Sequence, residues 1–239
     1  MAGQSNPNRR TLLRSIGTAT IGGALAGCTD AIPLGSRGAN EHVVLDVPEN
    51  YERFEDVDLP YPKHGEELPD ATVPAPLQDR DVSTREFVGD RHVMLTFIFT
   101  RCTMACPRLV APLVRVQSVS MEDGFSDEFA FLPTTFDPAY DTPDRLAEYG
   151  AERGVDFDAG NWWFLRPEGR QRAEEVEGTF GVTSEFVPEN EREMDNMAWV
   201  HNNVLVLANA DGYVERTYTR DPPASTTVLE DVRTLRERW

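Results

Sequence analysis

The chain has 239 residues, 40% of them apolar, enough to bury one core of ordinary size and still carry a short tail. Its 41 acidic residues outnumber 23 basic ones, for a net charge of -18, and Lys63 is the only lysine. Such a surface repels phosphate backbones, which argues against a nucleic-acid partner. The acidity is read instead as solvation: lysine-poor, carboxylate-rich surfaces hold water in salt-in halophiles.

Residues 1–28 differ in composition from the rest. Asn8-Arg9-Arg10-Thr11-Leu12-Leu13-Arg14 precedes a weakly hydrophobic, Gly/Ala-rich run from Ser15 to Gly27, and the first acidic residue is Asp30. A basic segment and a short apolar one, too brief and glycine-rich to span a bilayer comfortably, are expected of an export signal. The paired arginines look like a twin-arginine signal, and Leu25-Ala26-Gly27-Cys28 resembles a lipobox whose cysteine takes the lipid. The working domain is therefore expected on the extracytoplasmic face of the cell membrane, where cysteine pairs can stay oxidised. Residues 29–70 are acidic and punctuated by Pro33, Pro48, Pro60, Pro62 and Pro69, as in a tether or an N-terminal extension.

One domain is expected over residues 71–239. Val93 to Phe99 is a continuous apolar run with β-branched and aromatic residues, the pattern of a strand buried on both faces. Pro107 suits a first helical turn, and Leu109, Leu113, Val116 and Val119 give helical spacing to about Met121. Phe129 to Thr135 reads as a second central strand. Thr142 and Pro143 start a helix that runs to about Arg153. Asn161 to Leu165 reads as a short strand, and Pro167 opens a helix to about Glu177. Asn203 to Ala208 and Tyr213 to Tyr218 flank Asn209-Ala210-Asp211-Gly212, a hairpin signal, and Ser225 to Glu237 closes the chain as a helix. Strands alternating with helices, then a hairpin and a helix, predict an α/β protein of thioredoxin-like type: a mixed sheet flanked by helices.

Cys102 and Cys106 fall where the first central strand turns into a helix, a place where helix amides lower a thiolate pKa. If Cys106 lies in the first turn, the pair can share one metal ion or close a small disulfide ring. Two inert core thiols or a plain stabilising disulfide are the simpler alternatives. Thiolates favour Cu(I), with zinc the usual rival, and two sulfurs rarely satisfy a metal. His42 and His64 lie in the proline-punctuated segment, and His92 lies at the far end of the strand. His201 precedes the apolar strand Val204 to Leu207, on a loop able to converge on the cysteines, though a half-exposed histidine at a strand start is the better account of its position alone. Met104, Met194 and Met197 are further sulfur donors, a role that methionine takes less often than packing.

The stretch from about Ala75 to Arg236 resembles the Sco/SenC family, thioredoxin-fold copper proteins that help assemble the binuclear copper centre of cytochrome c oxidase. The resemblance rests on four features in order. These are Leu95-Thr96-Phe97-Ile98-Phe99-Thr100 leading to Cys102-x-x-x-Cys106-Pro107, then Thr135-Phe136-Asp137-Pro138-x-x-Asp141-Thr142-Pro143, then Asn161-Trp162-Trp163-Phe164-Leu165, and last His201 with Asn209-Ala210-Asp211-Gly212-Tyr213-Val214. The family binds copper through the two cysteines and this histidine, so the resemblance implies Cys102, Cys106 and His201 as ligands. It also implies a copper-bearing oxidase subunit and a thiol reductant protein as partners. Thr103-Met104-Ala105 departs from the family's usual linker between the cysteines. Val200 stands where aspartate is common, which removes a group able to orient the imidazole. Asp137 and Asp141 are read as turn and helix-cap residues. The rival from another class is a thiol-disulfide oxidoreductase, which needs both cysteines but not His201.

Overall fold

A computed structural model describes residues 42–49, 51–53 and 57–239 of the protein. The signal-type segment with Cys28 lies outside the described residues. Residues 39–238 form one unit.

The chain runs β1 (Thr72–Ala75), β2 (Arg80–Ser83), β3 (His92–Ile98), α1 (Ala105–Glu122), β4 (Phe129–Thr135), α2 (Pro143–Arg153), α3 (Arg170–Thr179), β5 (Ser184–Phe186), β6 (Trp199–His201), β7 (Val204–Ala208), β8 (Val214–Thr219) and α4 (Ser225–Arg238). The central sheet has the order β4-β3-β7-β8. β3 pairs parallel with β4 and antiparallel with β7, and β7 pairs antiparallel with β8 through the expected hairpin. All seven residues of β3 and of β4 are buried, which explains why both strands are unbroken apolar runs. Replacing Phe97 by Ala in this layer costs about 3–5 kcal/mol. Helix α1 packs on β3 and on α4. The mixed sheet flanked by helices is the thioredoxin-like architecture expected from the alternation of elements.

Three local differences have physical causes. The segment 161–165 lies parallel to β4 through the bridges Phe131–Trp162 and Thr134–Leu165 rather than as a continuous strand. Amides of Phe131, Trp163, Leu165 and Thr135 all donate across this seam. Pro133 has no amide to donate at its centre, so the ladder is interrupted there. The helix expected from Pro167 begins at Arg170, after Gly169, and ends at Thr179.

The third difference concerns the described part of residues 29–70. Gly65 and Leu68 donate to the carbonyls of Val214 and Gly212, and Val214 donates back to Glu66, so this stretch lies along β8. Leu45 and Leu68 are buried, and the fully buried Glu215 carboxylate accepts from the amides of Val44 and Leu45. These residues are docked on the domain and do not form a free tether.

A candidate metal centre at the end of the sheet

Topology brings the site together. β7 runs antiparallel to β3, with Thr96 opposite Leu205, so the residues just before β7 and just after β3 lie at the same end of the sheet. His92, at the other end of a seven-residue strand, is about 20 Å away and accepts from the Ala210 amide through Nδ1. His64 is held by the Leu45 carbonyl at 3.0 Å, and His42 stacks on Tyr213. Of the four histidines, only His201 joins the cysteines among the described residues.

After β3 the chain turns sharply, the Cys102 amide donating to the Phe99 carbonyl, and enters α1 at Ala105. No side-chain oxygen caps this helix. Instead the Cys106 amide points at the Cys102 sulfur, 3.4 Å away, so a sulfur occupies the place of an N-cap acceptor. Both cysteines are buried and neither is in a disulfide. The turn is pinned from below by Asp141, whose carboxylate accepts from the Thr100 amide and from the hydroxyls of Thr100 and Thr135. Beside it Asp137 pairs with Arg101 at 2.7 Å, and the Arg101 guanidinium lies over the Tyr140 ring. Thr142 is the N-cap of α2, accepting from the Arg145 amide, so Asp141 serves the cysteine turn rather than the helix.

His201 ends β6, which pairs with β5 as a two-stranded ribbon separate from the main sheet. Its ring packs against Phe99 and Phe136. Nδ1 lies 2.9 Å from the Asn202 carbonyl oxygen, which only an N–H can satisfy. With its proton on Nδ1 the ring donates to this carbonyl, and Nε2 faces the Cys106 sulfur at 3.8 Å. The Asn202 carbonyl thus supplies the orientation that an aspartate at position 200 would have given. The Asn202 side chain in turn accepts from the Thr183 amide and donates to the Gly181 carbonyl, tying the ribbon to the end of α3.

The ligand atoms of Cys102, Cys106 and His201 all lie within 4.8 Å of one another. The thiols are unequal. Donation from Cys106 holds Cys102 down at about 4, aided by His201 and by the amides of Cys106 and Met104, against the opposing effect of burial. Burial pushes Cys106 well above the usual thiol value, and the neighbouring Cys102 adds to this. The pair therefore shares one proton at neutral pH, which a metal would displace. Two soft sulfurs and an imidazole on one small volume suit Cu(I) or zinc, and do not suit calcium or magnesium. Sequence reasoning singled out the three residues that the fold brings together but missed Asn202 and misread Asp141. An Asn directly after a histidine and before a buried strand was the available signal for the first.

These features define a thioredoxin-like protein with a Cys-Cys-His group able to hold one metal ion. The SCO1/SenC family model matches residues 77–237, and the chain belongs to that family. It is 26% identical over 139 residues to the SCO1 protein homolog of Bacillus subtilis, covering 58% of this chain and 67% of the homolog. Among solved structures it resembles BsSco, described as having a disulfide switch and as a member of the Sco family of cytochrome c oxidase assembly proteins. There the TM-score is 0.53 and the identity 24%, over 73% of this chain and 95% of the other. It also resembles Bradyrhizobium japonicum ScoI with copper bound, with a TM-score of 0.52 and 17% identity, over 71% of this chain and 98% of that one.

Proposed function

We propose that this protein is an exported copper carrier, anchored to the membrane by a lipid on Cys28, that delivers copper to the binuclear centre of a cytochrome c oxidase. The observation that carries the reading is the convergence of two sulfurs and an imidazole nitrogen within 4.8 Å. Family membership supports it, as does a copper-bound relative of the same fold. Cys102 and Cys106 as thiolates and neutral His201 hold the ion, and transfer to cysteines of the oxidase subunit proceeds by exchange of one ligand bond at a time. Oxidation of the pair to a disulfide removes both sulfur donors, so a thiol reductant protein is needed to restore loading.

Titration of the reduced protein with Cu(I) tests this. Wild type binds one equivalent, whereas Cys102→Ser and Cys106→Ser lose it, and His201→Ala weakens it by roughly 10–100-fold. Failure of the reduced wild type to retain copper would end the reading.

The unequal thiols favour one second reading, a thiol-disulfide oxidoreductase with Cys102 as the attacking sulfur. His201→Ala separates the two, since it removes a metal ligand and leaves a dithiol intact. Reductase activity that persists in this variant, in a protein that never holds copper, would establish the enzyme.

A further inference from the structure

The described methionines are not scattered. Met94 is fully buried in β3 and Met121, in the last turn of α1, is 39% exposed; Met104, Met194 and Met197 are 68%, 53% and 40% exposed. Met104 sits between the two cysteines, and its amide faces the Cys102 sulfur. Met194 and Met197 bracket a short 3-10 turn in which the Met197 amide donates to the Met194 carbonyl at 3.0 Å. Met194 is the extended N-cap residue of this turn and Met197 its last residue. That turn is fastened to the cysteine loop by Asn196 Nδ2, which donates to Thr103 Oγ1 at 2.5 Å. Three exposed methionines thus flank the contact between this turn and the cysteine loop, where burying them would have been the ordinary use of methionine.

We propose that Met104, Met194 and Met197 form an entry site that captures Cu(I) before it passes to Cys102, Cys106 and His201. The proposal rests on the reading of copper as the cargo. A thioether is soft, neutral and has no proton to lose, so it takes Cu(I) in preference to zinc or magnesium, irrespective of pH. It also takes Cu(I) while the cysteines are still oxidised, which a thiolate site cannot do. The acidic loop bearing Glu189, Glu191 and Glu193 raises the local cation concentration beside it. In the transfer step sulfur–copper bonds to the thioethers break as bonds to the cysteine sulfurs form. Copper remains Cu(I) throughout, and the proton shared by the thiols leaves to water, so no oxidant or reductant enters.

Two measurements test the proposal. In the full-length Cys102→Ser/Cys106→Ser protein carrying 13C-methyl methionine, anaerobic titration with Cu(I) shifts the methyl signals of Met104, Met194 and Met197 and leaves those of Met94 and Met121 in place. Absence of these shifts, or an equal shift at Met121, overturns the site. In the reduced full-length protein, loading from a weak Cu(I)–acetonitrile complex slows roughly tenfold when all three methionines are changed to leucine, the size expected for loss of accessory groups at a metal site. Met121→Leu loads at the wild-type rate. If the triple leucine variant also does so, the three side chains are an apolar patch and the proposal fails. A wild type that holds no copper at its cysteines sinks the carrier reading alone, because the methyl titration still decides the entry site.

Discussion

Two sulfurs four residues apart acquire different proton affinities because one accepts from the other, which is itself deeply buried. Cys102 receives the amide of Cys106 and the donation of the second thiol, whereas Cys106 lies behind it in the core. The carboxyl beneath them is perturbed in its own way. Burial raises Asp141 from 3.8 to about 6, against the opposing donation from Thr100 and Thr135. The folded state therefore holds this proton more tightly than the unfolded chain does. Its contribution to stability is complete below about pH 4 and is lost as pH rises through about 6. Asp141→Asn removes that dependence and one acceptor oxygen, so urea unfolding of the metal-free protein shows a deficit of about 1–3 kcal/mol at pH 4 that narrows towards pH 7. Parallel curves for variant and wild type would refute this. The place of the two cysteines was legible in the sequence, since a cysteine pair after an apolar run announces a strand-to-helix turn. The work of Asp141 was not, because its partners lie 41 and 6 residues away and are joined only by the parallel pairing of β3 with β4.

At the level of elements, strand direction decides the chemistry. Had β7 run parallel to β3, the residues preceding it would have emerged beside His92. The antiparallel register instead delivers position 201 to the cysteines. The main strands, the hairpin at 209–212 and three of the four helices could be read from periodicity and turn residues. The β5–β6 ribbon could not, for its strands are three residues long and half-exposed, with no alternation to betray them. It is held by tertiary contacts: Arg170 bonds Glu177 and Ser184, and its guanidinium lies over Trp199. Asn202→Ala cuts the ties to Thr183 and Gly181. It is expected to weaken Cu(I) binding by roughly tenfold while the far-ultraviolet circular dichroism stays that of wild type. Unchanged affinity would mean that the Asn202 carbonyl alone suffices to fix the ring. Gly181, at φ +69°, allows the Pro60 carbonyl to approach so closely that a Cβ would sit 2.2 Å from its oxygen. Gly181→Ala therefore destabilises the fold, measured as a lower Tm, by prising residues 57–70 from the domain.

For the molecule as a whole, a charge of -18 opposes compaction. Potassium chloride screens it, with a Debye length falling from about 10 Å at 0.1 M to about 3 Å at 1 M, so Tm rises across that range. A flat profile would show that the carboxylates cause no net repulsion in the folded state. Copper loading also raises Tm, since the Cys-Cys-His group is assembled only in the folded protein, and the rise is smaller in His201→Ala if the ribbon is a true participant. The placement of His201 outside the main sheet has a wider consequence. The cysteine turn belongs to the main sheet and α1, so substitutions in the ribbon alter the third member of the Cys-Cys-His group without touching the other two. One peripheral strand pair thus decides whether the site offers three donors or only a dithiol.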